Sequence, residues 1–268
     1  MWELSAVFDT WLAHLVDVAK WTLVASACGT ILELLFPGPR QSWLSRLKGA
    51  FFWGLFILIG TSLVLLISRL LRFGSIPPLV HLDFRQSVQS GNWAVVALAL
   101  TVLPFAGMFA FDFFYYWFHR LQHATVLWRI HSLHHSIAEL NAFNNYHHVL
   151  EDALRIPFVA IPLLLVKVDP PYIPIYFFIV AVAGQLIHAN SRVSYGPLRY
   201  VWVEPRFHRI HHSIEPQHQD KNFASFFPIL DIVFGTAYFP KQSEYPATGI
   251  ATAAEPRTAT QYLLWWKR

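Results

Sequence analysis

Charge is scarce in this chain. Asp, Glu, Lys and Arg make up 13% of the 268 residues, against about 25% in ordinary soluble domains, which argues against a simple soluble enzyme. Cysteine is scarcer still. Cys28 stands alone, so an intrachain disulfide and the cysteine-based zinc motifs are excluded. A mean hydropathy of +0.39 excludes a disordered chain. The net charge is +4 and the pI about 9.2, but the basic residues are scattered among apolar segments. Nucleic acid is therefore not an expected partner. In a membrane protein such a balance reflects Lys and Arg at the cytoplasmic interface. The N-terminus opens Met1-Trp2-Glu3 and carries Asp9 and Asp17. It lacks the basic region and clean apolar stretch of a cleaved leader and reads as mature sequence.

What is abundant is apolar sequence, 55% of the chain. A bilayer crossing takes about 20 such residues. Residues 11–36, 51–67 and 93–114 are the candidate spans, the first carrying Asp17, Lys20 and Glu33 and the third Pro104. Two further stretches, 156–166 and 172–187, read as a hairpin that crosses poorly or dips in and returns, with a turn at Lys167-Val168-Asp169-Pro170-Pro171. Residues 73–92 read as an interfacial loop. The expected fold is all-α: a multi-span helical membrane protein with a cytosolic histidine-rich cap holding a di-metal site. Its expected parts are membrane helices and loop over 1–92, a catalytic domain over 93–240 and a loosely ordered tail over 241–268. Arg40, Arg46 and Lys48 fall in an acid-free loop, residues 37–50. The positive-inside rule puts that loop in the cytoplasm. The histidine site and C-terminus are then cytoplasmic and the N-terminus outside, with Arg69 and Arg72 as the charges on the opposing side.

Histidine is the outlying residue type. There are 14, and all but His14 and His81 lie between His119 and His218. His119 and His123 are one helical turn apart and project from one face. His131, His134 and His135 repeat that logic at offsets of three and four, and so do His208, His211 and His212. The last two clusters lie in a longer internal match, Arg129 to Ile137 against Arg206 to Ile214, with the pattern Arg-x-His-x-aliphatic-His-His-Ser-Ile. Two similar half-sites point to two similar metal environments, since one open zinc site uses only three protein ligands. Neutral imidazole suits zinc, copper, iron and nickel. Two irons held mainly by imidazole are suited to activating O2 against a strong C–H bond, in a dry pocket that a lipid reaches from the bilayer. The expected ligands are His119, His123, His131, His134, His135, His208, His211 and His212, with His188 as a ninth and no catalytic residue separate from them. Ligand histidines usually donate their other N–H to a carboxylate or carbonyl. Asp112, two turns before His119, is the leading candidate partner, with Glu151 and Asp220 behind it. Tyr115, Tyr116 and Trp117 read as an interfacial aromatic belt.

These residues resemble the fatty acid hydroxylase/sterol desaturase superfamily of membrane di-iron enzymes. The resemblance rests on Asp112 through His123, His131 through His135, His188-Ala189-Asn190, His208 through His212, and the closing stretches Asp220-Lys221-Asn222-Phe223 and Asp231 to Thr236. It covers roughly residues 105–240. It implies O2 as co-substrate, a membrane lipid substrate of fatty-acyl or sterol-like type, and electrons from an external donor of cytochrome b5, ferredoxin or flavin-reductase type. Hydroxylation, desaturation and ether-lipid cleavage share one oxidant and are not separated by sequence. The resemblance adds Asn190 as a supporting residue, and a His-Pro-x-Glu segment appears as His148-Val149-Leu150-Glu151 without its proline. Two irons are the expected metals, and zinc, which binds such sites more tightly than ferrous iron, is able to replace them in purified material. The competing readings are a zinc-dependent membrane lipid hydrolase and, from another class, a metal transport or storage protein. The near absence of histidine from the spans counts against the latter.

Overall fold

The computed structural model describes residues 2–72, 75–83, 91–169 and 173–267. The expected Pro170-Pro171 turn, much of the loop expected over 73–92, and Arg268 lie outside the described residues. Helix α1 (Trp2–Leu35) ends just before Pro37, which cannot continue a helix. Ser42 caps α2 (Trp43–Leu55) by accepting from the Leu44 N–H. That helix runs through a π-helical segment (Phe56–Thr61) into α3 (Ser62–Leu70). Asn92 caps the long α4 (Trp93–Ala124), which contains Pro104. The stretches Val7–Leu35, Trp43–Leu70 and Trp93–Ala124 are each long and apolar enough to cross a membrane.

The third helix outruns the span expected over 93–114 and carries His119 and His123 on its last turns. Short helices follow: α5 (Trp128–His135) and α6 (Glu151–Arg155), then a π-helical segment (Ile156–Ala160) and α7 (Ile161–Leu165). Residues 167–169, expected as the start of a turn, instead join Val166 in β2 (Val166–Asp169). It pairs in parallel with β1 (Val80–Asp83), Val80 opposite Val166. Because β1 follows α3, the first arm of the hairpin reaches the end of the molecule where α3 exits, away from the histidines. The return arm, α8 (Ile173–Leu186), packs along α1.

The end that holds the histidines is stitched to the first two helices. Glu33 is buried in α1, where a lone carboxylate would be costly. It accepts the backbone N–H groups of Ala142 (2.8 Å) and Asn190 (2.7 Å) and pairs with Arg46 of α2. Glycine is required at position 49, since a Cβ there would strike the Phe143 carbonyl. The C-terminal segment, expected to be loose, is packed instead. Arg206 donates to the Gln242 carbonyl at 3.1 Å and Arg209 to the Pro246 carbonyl at 2.8 Å. In α10 (Ala259–Leu263), Tyr262 is buried against Phe52, with ring centroids 4.9 Å apart. Trp265 donates its indole N–H to Ser132 at 2.9 Å. Aromatic area buried this way outweighs the entropy of a free tail.

Candidate metal centre

Four elements deliver the histidines: the end of α4, all of α5, the residues just past α8, and α9 (Pro205–His211) with His212. All nine expected ligands converge. Their ring nitrogens form two groups, each with its atoms within 4.8 Å of one another: His119, His123, His131, His135 and His211 in the first, and His134, His188, His208 and His212 in the second. The internal repeat is distributed crosswise. The i,i+4 pair of each triplet stays together on one helix face, while the middle histidine points into the other group. Thus His134 joins the second group and His211 the first. The two environments are therefore of unequal size, five rings and four.

The facing nitrogens are Nε2 atoms. His119 and His131 stand 3.0 Å apart, His123 and His135 3.2 Å, His134 and His188 3.1 Å, and His188 and His208 3.0 Å. The proton positions follow from what lies behind the rings. His119 Nδ1 donates to the Phe223 carbonyl (2.8 Å), and His131 Nδ1 donates to the Glu151 carboxylate (2.7 Å). His134 Nδ1 faces the Tyr146 carbonyl (3.2 Å), His188 Nδ1 the Gly184 carbonyl (2.7 Å) and His211 Nδ1 the Lys221 carbonyl (2.8 Å). A carbonyl only accepts, so each of these neutral rings carries its proton on Nδ1 and bares the Nε2 lone pair. Bare lone pairs at 3.0 Å repel unless a cation lies between them. Imidazole binds such metals at about 2.0–2.1 Å, which sets neighbouring ligand nitrogens about 2.9–3.4 Å apart. The buried His211 Nε2 has no hydrogen-bond partner. The residues present fit metal.

Burial keeps the rings in the metal-binding form. Desolvation first, then neighbouring histidines, holds His134, His135, His208, His211 and His212 well below the usual imidazole range. The same causes bring His188 down to about 3. Glu151 is pushed up by burial, but His131 and His147 more than offset this and hold it well below the usual carboxylate range. Gln122 also donates to Glu151, at 2.6 Å.

Residues 220–227 form the backing for the first group. Asp220 and Asn222 adopt left-handed backbone, φ 55° and 61°, which Asp and Asn tolerate better than other non-glycine residues. The Asn222 amide donates to the Phe207 and Tyr238 carbonyls, both at 2.8 Å, and accepts the Tyr238 N–H at 2.7 Å. That twist turns the Lys221 and Phe223 carbonyls toward His211 and His119. The Asp220 carboxylate lies 3.4 Å from His123 Nδ1.

Asp112 does not bond a histidine, contrary to expectation. Its carboxylate accepts three successive N–H groups, from Ser225 (2.8 Å), Phe226 (3.0 Å) and Phe227 (2.7 Å). These residues follow the Phe223 carbonyl that His119 meets. Asp231 likewise accepts the N–H groups of Phe223 and Ala224. His148 also turns away: it donates to the Leu263 carbonyl and accepts from the Leu150 N–H. Its neighbour His147 stacks on His134 instead, ring centroids 3.8 Å apart. Asn190 bonds Pro39, Tyr245 and Glu33 and so ties the segment after His188 to the α1–α2 loop. Tyr116 is no interfacial residue; it is buried and its hydroxyl meets Thr236 at 2.9 Å. Asn222 and Glu33 were not legible from spacing, because each acts through backbone groups far away in sequence.

Two cavities reach the histidines from opposite sides. One of about 420 Å³ meets His123, His135 and His211 and is walled by Trp128, Asp220 and residues 249–252. The other, about 260 Å³, lies among α1, α2, α4 and α8 and meets His119, His134, His188 and His208.

Helical architecture, three apolar helices and this interior cluster define a helical membrane protein with a histidine centre able to hold metal. The fatty acid hydroxylase family profile matches residues 104–236. Ornithine lipid hydroxylase OlsE of Rhizobium tropici is 33% identical over 149 residues, 54% of this chain and 44% of that protein. Human alkylglycerol monooxygenase is 32% identical over 147 residues, 52% of this chain and 31% of that one. A rice protein, very-long-chain aldehyde decarbonylase GL1-6, is 27% identical over 171 residues, 59% and 26% of the two chains. The chain belongs to the fatty acid hydroxylase superfamily. The match spans less than half the length of each of these relatives. No solved structure matches it significantly.

Proposed function

We propose that this chain is an O2-dependent oxygenase that holds two iron ions and hydroxylates or desaturates a long-chain lipid, fatty-acyl or sterol-like. The observation that carries the reading is that Nε2 faces Nε2 at 3.0 Å between His119 and His131 and at 3.1 Å between His134 and His188, while all four Nδ1 protons are held elsewhere. The names of the relatives, all proteins of lipid chemistry, support the substrate class. In this reading His119, His123, His131, His135 and His211 hold one ion, and His134, His188, His208 and His212 hold the other. Iron bound there supplies the oxidising power that C–H cleavage needs from O2. The protein's own part is orientation and dryness. Glu151 and the Phe223, Lys221, Tyr146 and Gly184 carbonyls fix the rings, so little reorganisation accompanies a change of charge at the centre. Phe111, Phe226 and Val180 wall the 260 Å³ cavity and exclude water from the lipid carbon. Electrons come from an external donor of cytochrome b5, ferredoxin or flavin-reductase type. The histidine centre and C-terminus face the cytoplasm and the N-terminus faces outward.

The test compares lipid extracts of cells with and without the protein, under air and under nitrogen. An oxidised lipid that depends on both protein and O2 is expected. A protein-dependent lipid change that persists under nitrogen would replace this reading with a metal-dependent hydrolase.

A further inference from the structure

The 260 Å³ cavity is at the small end of ligand pockets, which run from about 300 to 1,000 Å³. Its size suits a short piece of a lipid. Whatever lines it therefore sits close to the carbon held at the histidines. Most of its wall is apolar, but Asn145 and Gln185 interrupt it. Gln185 lies in α8, and its backbone carbonyl accepts the His188 N–H at 3.2 Å.

The orientation of these two amides is determined. The Trp53 indole N–H can only donate, and it points at the Asn145 side chain at 2.7 Å. The Asn145 oxygen must therefore face Trp53, which turns the Asn145 NH2 toward Gln185. Gln185 accepts with its oxygen, so its own NH2 points the other way. That nitrogen donates to no atom of the described residues, although Gln185 is more than nine-tenths buried. The nitrogen is not one of the fully enclosed unpartnered atoms, so it opens onto the cavity, and a ligand that displaces water there must offer it an acceptor or leave it unsatisfied at a cost. The charged groups that reach the cavity, Asp152 and Arg155, are paired with each other at 2.7 Å.

We infer that the Gln185 NH2 is a substrate-binding donor, and that the lipid taken by this cavity carries an acceptor oxygen (ether, ester carbonyl or hydroxyl) within a few bonds of the carbon that reacts. A plain hydrocarbon segment far from any oxygen would leave the donor unsatisfied. Such polar groups discriminate strongly, because the wrong ligand strands them. The inference rests on the lipid-oxidation reading but is tested without turnover.

The experiment uses the full-length, zinc-loaded protein in dodecylmaltoside micelles. Binding of tritiated methyl hexadecyl ether, hexadecan-1-ol and octadecane is measured and corrected for partition into empty micelles. The unaltered protein is expected to prefer the ether to octadecane by about tenfold. Gln185→Leu should abolish that preference while metal content stays unchanged. Asn145→Asp is the second variant. Its carboxylate still accepts from Trp53 but cannot donate to Gln185, so the Gln185 amide turns over and presents its oxygen to the cavity. That variant should lose the ether preference yet keep hexadecan-1-ol, whose O–H can donate. Equal affinity of the unaltered protein for ether and octadecane, including no binding of either, overturns the inference. So does an ether preference that survives in Asn145→Asp. The air-and-nitrogen lipid comparison decides the oxygenase reading separately.

Discussion

His119 and His131 face each other through Nε2 at 3.0 Å, and each gives its Nδ1 proton to an acceptor behind it, the Phe223 carbonyl or the Glu151 carboxylate. With both rings neutral, the form that binds metal, no proton is left to bridge them. The pair is arranged for a cation, and the same relation recurs in the second group between His134 and His188.

The first prediction is two metal ions per chain in anaerobically purified, iron-reconstituted protein, read by elemental analysis. His119→Ala should vacate the first group and His208→Ala the second, leaving about one ion in each case, and alanine at any of the nine should abolish activity. His14, an exposed ring that bonds only the Thr10 carbonyl of its own helix, should tolerate alanine. Full activity in His134→Ala would refute the assignment.

Asp112 acts on the centre through backbone. Asp112→Asn places an NH2 among three N–H donors that it must now partly oppose, so the 225–227 turn loosens and the Phe223 carbonyl behind His119 with it. Metal affinity should fall about 10- to 100-fold, measured by competition with a chelator. Unchanged affinity together with unchanged thermal stability would show that the turn holds without the carboxylate.

Glu33 should matter as much as a residue inside the histidine region. Glu33→Ala strands the Ala142 and Asn190 N–H groups and leaves Arg46 unpaired. Arg46 is 34% exposed, so the loss comes mainly from the two stranded N–H groups, at about 1–3 kcal/mol each. Glu33→Gln keeps an acceptor oxygen for the two N–H groups and should recover part of that loss. Thermal denaturation of the three proteins in detergent orders them; equal midpoints would show the carboxylate to be dispensable.

Topology gives a fourth prediction. Reporter fusions after Ala50 and after Arg268 should both report cytoplasm. The structure puts the α1–α2 loop beside the segment that follows His188, with the Gly38 N–H donating to the Asn190 carbonyl at 2.9 Å. The two fusions must therefore agree with each other. An outward signal from either would overturn the proposed orientation.

Much of this protein is legible in its order of residues. Apolar runs of bilayer length announce α1, α2–α3 and α4, because a helix is the way an isolated apolar segment satisfies its own backbone. The offsets of three and four announce that His131 and His135 share a helix face, as do His208 and His212. The C-terminal segment was misleading for a physical reason. Its polar stretch carries no periodicity, and its order comes from Arg206 and Arg209 gripping its carbonyls and from Tyr262 and Trp265 entering a core made elsewhere.

Sequence alone pointed to the nine histidines that the fold brings together, since imidazole chemistry and helical spacing are local properties. Tertiary structure decided how they are shared: His134 and His211 leave their own triplets because α5 and α9 meet crosswise. It also decided which way His119, His211, His134 and His188 point, because the acceptors at Phe223, Lys221, Tyr146 and Gly184 are main-chain carbonyls. Every residue has such a carbonyl, so no residue type marks the ones that matter. Their direction is set by distant contacts, such as Asn222 against Tyr238 and Asp112 against residues 225–227. The orientation of Gln185 is of the same kind, passed from the Trp53 indole through Asn145 across three elements that meet only in the folded chain.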